Sequence, residues 1–290
     1  MDNNTKYDGR NMLRILVTGG AGFVGSHLCE RLAYENDVYS IDNYFTGSKD
    51  NHVDGVEYIK MPTHGLQLSH LPRFDLVYHL GEYSRVEQSF DDINIVHKYN
   101  IDGTYQVLEA VRNWGAKLVY SGSSTKFTND DDFYTMSPYA FFKKQNTELV
   151  KQYSEWFNIR YAITYFYNVY GPREISSGKY STVIAKFNEL MKQGIDLPVT
   201  IPGTQKRNFT HVNDIVDALV LIGIRGDGDE YGIGHPDSYS ILEVAEMFGG
   251  KIVLTDPKKG NRMSAEVKTE KTYELGWQPK HNLKDYIESL

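Results

Sequence analysis

A largely apolar run, Leu13-Arg14-Ile15-Leu16-Val17-Thr18, passes directly into Gly19-Gly20-Ala21-Gly22-Phe23-Val24-Gly25 and then into a helical pattern reaching about Tyr34. Few folds accept that order. Glycines at 19, 22 and 25 permit a tight turn, the close approach of a pyrophosphate, and close packing of the helix on its strand. The open N–H groups and the dipole of the following helix suit an anion. A second strand over residues 38–41 ends at Asp42, 23 residues after Gly19. A carboxylate there accepts hydrogen bonds from a ribose diol and repels a 2′-phosphate. The pattern predicts a dinucleotide site, with NAD preferred over NADP.

The chain downstream repeats the same alternation. Strands are expected at residues 56–59, 74–79, 116–120 and 160–165, with helical stretches at 92–112 and 138–157. Strands alternating with helices of this length predict an α/β fold, a doubly wound parallel sheet with right-handed connections. After about Tyr170 proline and glycine become denser. Short strands at 199–201, 208–211 and 231–233 alternate there with helices near 182–193, 212–222 and 240–248. The expected organisation is a polar leader at 1–11, a Rossmann domain at 12–170, and a smaller C-terminal α/β substrate lobe at 171–290, with chain crossovers between the two.

Composition narrows the function classes. The 290 residues are enough to bury a core without staples. The single cysteine, Cys29, excludes a disulfide framework and a cysteine-based metal cluster. A net charge of −7 argues against a nucleic-acid partner. No apolar run approaches the roughly 20 residues that span a bilayer, and the N-terminus lacks a signal-peptide core. A cytoplasmic setting is expected. The acidic triplet Asp130-Asp131-Asp132 reads as a solvated loop, and no metal is expected.

Tyr139 and Lys143, in Ser-Pro-Tyr-Ala-Phe-Phe-Lys, stand four apart on a helix and so share a face. Free tyrosine, with a pKa of about 10, is a poor base at neutral pH. A nearby ammonium favours the phenolate, which can then accept a hydroxyl proton while hydride leaves the carbon. Upstream, Ser121-Gly122-Ser123-Ser124 follows the fifth strand at the carboxyl end of the sheet, where ligands of open α/β folds bind. A hydroxyl there, Ser123 above all, could hold the reacting oxygen.

Together these residues resemble the extended short-chain dehydrogenase/reductase family, in particular its nucleotide-sugar epimerases and dehydratases. The resemblance runs from about Leu13 to Leu290. It rests on TGGAGFVG at 18–25, IDN at 41–43, HLG at 79–81, Asn100 in NIDGT, SGSS at 121–124, SPYAFFK at 137–143, YNVYGPR at 167–173, RNFTHVNDIVDA at 207–218 and LGWQPK at 275–280. It implies a catalytic set of Ser123, Tyr139 and Lys143. It implies NAD contacts from Gly19, Gly22, Phe23, Val24, Gly25, Asp42, Asn43, Leu80, Gly81, Asn100, Tyr139 and Lys143. A nucleotide-diphospho sugar would meet Ser123, Ser124, Asn168 and Arg207, and a homodimer would pair the helices at 92–112 and 138–157.

Dehydratases of the family place an Asp-Glu pair after the catalytic hydroxyl, and its decarboxylases a glutamate at the second of these positions. Here the two are Ser124 and Thr125. The resemblance therefore points to a 4-epimerase acting through a 4-keto sugar. The alternative is a net 4-dehydrogenase or 4-ketoreductase. Departures from the pattern stand at Lys60–His64, where an adenine-binding Asp is usual, at Glu82, Tyr83 and Arg85, at Lys126-Phe127-Thr128, and at Lys258–Asn261.

Overall fold

A computed structural model describes residues 12–124, 137–256 and 267–290. The leader at 1–11, the acidic triplet at 130–132, residues 125–128 and residues 258–261 lie outside the described residues.

The chain runs β1 (Arg14–Thr18), α1 (Phe23–Leu32), β2 (Asp37–Asp42), β3 (Val56–Lys60) and β4 (Leu76–His79). It continues through α2 (Ile93–Val96), a π turn at His97–Asp102, α3 (Gly103–Trp114), β5 (Lys117–Ser123), α4 (Pro138–Phe157) and β6 (Arg160–Phe166). Then follow β7 (Val169–Tyr170), α5 (Val183–Lys192), β8 (Leu197–Thr200), β9 (Lys206–Asn208), β10 (Thr210–His211) and α6 (Val212–Arg225). The last part contains β11 (Gly228–Ile233), β12 (Ser238–Ser240), α7 (Ile241–Phe248) and β13 (Ile252–Thr255), with short helices beyond.

Seven strands form one parallel sheet in the order β11-β6-β5-β4-β1-β2-β3. Alternation along each strand divides the core into two faces. Leu16, Val77 and Leu118 pack toward Leu108, Val111 and Val150 of α3 and α4. Ile15, Val17 and Tyr78 pack toward Leu28 of α1 and Ile215, Leu219 and Ile222 of α6. Both faces are covered, which is why the strands read as continuous apolar runs.

Residues 228–233 add the seventh strand beside β6, so the chain returns from the smaller lobe to the main sheet. Helix α6 returns with it, and Tyr78 donates to the Leu219 carbonyl at 3.2 Å. The lobe itself is built on three two-stranded pairs, β10 with β7, β12 with β9 and β13 with β8. Its own core joins Ile184 and Phe187 of α5 to Leu197, Val199, Phe209 and Val244. Among the described residues no helix is long and apolar enough to cross a membrane.

The order of the sheet reverses between β1 and β4. In open α/β folds the crevice beyond the carboxyl ends of strands at such a point is where a ligand binds.

Candidate active site

A cavity of about 890 Å³ opens at that point. Gly19, Gly22, Phe23, Val24 and Gly25 line it, as do Asp42, Asn43, Leu80 and Gly81. So do Ser123, Ser124, Tyr139, Lys143, Asn168 and Arg207. Asn100 is not among the residues that line it. It sits fully buried in the π turn, where its Oδ1 accepts from the Tyr83 N–H at 2.8 Å and its Nδ2 donates to the Tyr83 carbonyl at 3.1 Å. An asparagine side chain imitates a strand neighbour here and fixes the backbone that carries the cavity wall.

The glycine turn is packed too closely against the neighbouring backbone to admit side chains. Gly19 has φ +76°, and a Cβ on it would stand 2.8 Å from the Gly81 Cα. A Cβ on Gly25 would fall on the Gly19 carbonyl. Gly22 caps α1 without a side-chain hydrogen bond, so the N–H groups of the first turn are open to a diphosphate. Asp42 closes the far side of the turn. Its carboxylate accepts from Ala21 N at 3.0 Å and Tyr44 N at 2.7 Å. Burial raises its pKa, and those backbone hydrogen bonds oppose the rise. The cradle and its acid fit a dinucleotide with a free ribose diol.

Tyr139 is the second residue of α4, and the local sequence makes that helix start here. Ser137 caps it by accepting from Ala140 N at 3.1 Å, with Pro138 in the first turn. Lys143 follows one turn later and is buried. Its ammonium donates to the Ser121 carbonyl at 2.5 Å and to the Glu82 carboxylate. Glu82 also accepts from Asn146 Nδ2 at 2.9 Å, Thr104 Oγ1 at 3.0 Å and the Tyr120 hydroxyl at 3.2 Å.

These contacts extend into a directional chain. Gly81 N–H donates to Thr18 Oγ1 at 3.0 Å, and Thr18 Oγ1 lies 2.7 Å from His79 Nδ1. His79 Nε2 lies 3.0 Å from Thr104 Oγ1, which passes its own hydrogen to Glu82. The one arrangement that satisfies every member puts the imidazole hydrogen on Nε2 of a neutral His79. Burial agrees, lowering the His79 pKa to about 4.

Two further side chains shape the cavity. Arg85 donates through Nε and Nη2 to the Tyr180 carbonyl at 3.0 and 2.7 Å, and through Nη1 to the Ser84 carbonyl at 3.1 Å. Glu174 accepts from Gly171 N at 2.9 Å, while its Oε1 is buried without a partner. Burial pushes the Glu174 pKa up to about 7. Sequence reasoning registers Glu82 and Arg85 only as departures from a pattern, and Glu174 not at all. Glu82 meets Lys143 across 61 positions, and no local spacing signals that meeting.

Comparison with known proteins agrees with this geometry. The family described as NAD dependent epimerase/dehydratase matches residues 15–234. The chain is 30% identical to UDP-glucuronic acid decarboxylase 5 of Arabidopsis thaliana, over 97% of this chain and 89% of that protein. Among solved structures, UDP-glucose 4-epimerase of Thermotoga maritima with UDP-glucose superposes with a TM-score of 0.88 at 26% identity, covering 95% of this chain and 96% of that one. UDP-glucuronic acid 4-epimerase of Bacillus cereus, in complex with UDP-glucuronic acid and NAD, superposes at 0.85 with 25% identity, covering 95% and 97%. With the glycine cradle, Asp42 and the Tyr139–Lys143 pair on one cavity, the chain belongs to the NAD-dependent epimerase/dehydratase family and is an enzyme whose cofactor is NAD.

Proposed function

We propose that the protein is a 4-epimerase of a nucleotide-diphospho sugar. The observation that carries this reading is that Ser123, Tyr139 and Lys143 line one cavity with the glycine cradle. Tyr139 accepts the proton of the 4-hydroxyl as hydride leaves C4, and Ser123 holds that oxygen. Lys143, fixed by Glu82 and the Ser121 carbonyl, holds the ribose of the nicotinamide. NAD, when bound, supplies a hydride acceptor that can return what it takes. Asn168 and Arg207 meet the diphosphate of the sugar. The keto sugar turns over between the two transfers, hydride returns to the opposite face of C4, and Tyr139 gives its proton back to the 4-oxygen.

Elimination of water needs an additional acid and base. Ser124 stands where a dehydratase carries the first of these. Glu82, on the cavity wall, is already engaged by Lys143, Thr104 and Asn146. The likeness to a decarboxylase favours a second reading, in which a 4-keto sugar with a carboxylate on C5 loses carbon dioxide. Exposed Ile93, Tyr105 and Trp156 on α2, α3 and α4 support a homodimer through those helices. Parallel incubations with UDP-glucose and with UDP-glucuronic acid, without added oxidant and each followed by proton NMR, test the proposal. A C4 epimer is expected, and a smaller sugar with released carbon dioxide would favour the second reading.

A further inference from the structure

The cations on the cavity wall differ in how they are balanced. Lys143 has Glu82, and Lys179 has Asp92 at 2.8 Å. Arg85 is part-buried, and its acceptors are two carbonyls and the Ser84 hydroxyl. Among the described residues no carboxylate lies within ion-pair distance of it.

The carbonyl that anchors Arg85 is itself held firmly. The Tyr83 and Tyr180 hydroxyls both donate to Asp92, at 2.8 and 2.9 Å. Asp92 is therefore consumed by two tyrosines and Lys179, and does not balance Arg85. The groups facing the guanidinium are Tyr139, Tyr83, Tyr180 and Glu174. Glu174 is the one carboxyl among them, and burial keeps it partly protonated near neutrality. A guanidinium withdrawn from water without an anion is costly. The cost is relieved when a ligand brings the anion. Arg85 and Tyr139 line the same cavity, so an anion held by Arg85 belongs near the reacting carbon.

We propose that Arg85 selects a sugar that carries a carboxylate on C5, the carbon next to the reacting one, so that the substrate class is a nucleotide uronic acid. This rests on the C4 reading above. The other anion of the substrate, its diphosphate, is assigned to Asn168 and Arg207, and the test separates the two.

Calorimetric titration of the NAD-loaded enzyme uses three probes, UDP, UDP-glucose and UDP-glucuronic acid, on the wild type and on Arg85→Met. The wild type should bind the glucuronic acid form at least about tenfold more tightly than the glucose form, the scale of a hydrogen bond to a charged group. Arg85→Met should abolish that difference and leave UDP binding within about twofold. Equal wild-type affinities for the two sugars would overturn the proposal, and that measurement needs no variant. An equal loss for all three probes in Arg85→Met would also overturn it, by assigning Arg85 to the diphosphate. Affinity and product formation are read in separate experiments, so a failed epimerase assay and a failed Arg85 assignment remain distinguishable.

Discussion

Lys143 donates its ammonium into the carboxylate of Glu82, and both side chains are almost wholly withdrawn from solvent, at 4% and 1% exposure. The pair ends the chain of hydrogen bonds that begins at Gly81 N–H in the glycine cradle and passes through Thr18, His79 and Thr104. The wall beside the glycine cradle and the lysine proposed to serve catalysis are thus held by one buried network.

Breaking that pair from the acid side leaves Lys143 as an unbalanced buried charge. Glu82→Ala should cost about 3–5 kcal/mol of stability, the range for one partner lost from a buried ion pair. Glu82→Gln, which keeps the shape and an acceptor oxygen, should cost less. Urea unfolding of both variants checks this, and wild-type stability in Glu82→Ala would contradict it.

Asp42 should set cofactor choice. Asp42→Ala removes the acceptor for a ribose diol and the repulsion of a 2′-phosphate. NAD affinity should fall by about tenfold or more, as for a lost hydrogen bond to a charged group, while the relative affinity for NADP improves. Fluorescence titration with both cofactors measures the ratio, and an unchanged ratio would remove the assignment.

Tyr139→Phe keeps the ring and removes the proton acceptor. Reduction of bound NAD by substrate in a single turnover should slow by roughly 10²–10⁴-fold, with cofactor affinity retained. Near wild-type reduction would assign the base to another residue.

Glu174 and His79 should impose opposite pH dependences on stability between about pH 4 and 7. Glu174 has its folded pKa raised from 4.5 to about 7. Its protonated form is favoured by folding, so its contribution is complete below pH 4.5 and is lost as pH rises toward 7. His79 has its folded pKa lowered from 6.5 to about 4. Its contribution is present above pH 6.5 and is lost as pH falls toward 4. Glu174→Gln should remove a loss of up to roughly 3 kcal/mol between pH 4.5 and 7, at about 1.4 kcal/mol for each pKa unit. Thermal melting of wild type and variant from pH 4 to 9 reads the difference, and an unchanged pH dependence in the variant would refute the Glu174 part.

The legible parts of this chain are the local ones. The turn at Gly19–Gly25, Asp42 at the end of β2, and Tyr139 with Lys143 on α4 are each defined within a few residues, and they meet at the predicted edge of the sheet. The stretch at 92–112 reads as one continuous helix, but the chain forms α2, a π turn and α3 over residues 93–114. The extra residue per turn there accompanies a buried Asn100 bonded to Tyr83, a long-range demand that periodicity does not register. The same holds for β11, whose place beside β6 depends on α6 crossing beneath the sheet. Glu82 and Arg85 stand out in sequence only as misfits. Their meaning comes from partners 61 and 95 positions away.

The most direct test of the central claim follows one hydrogen atom. A nucleotide sugar with deuterium at C4 is incubated with the purified enzyme and no added oxidant. An epimerase returns the hydride it removes, so the account predicts a C4 epimer that retains the label, with turnover sustained on catalytic cofactor. A 4-keto product, with the label on the nicotinamide and turnover halted after one equivalent, would contradict the account and identify a net dehydrogenase.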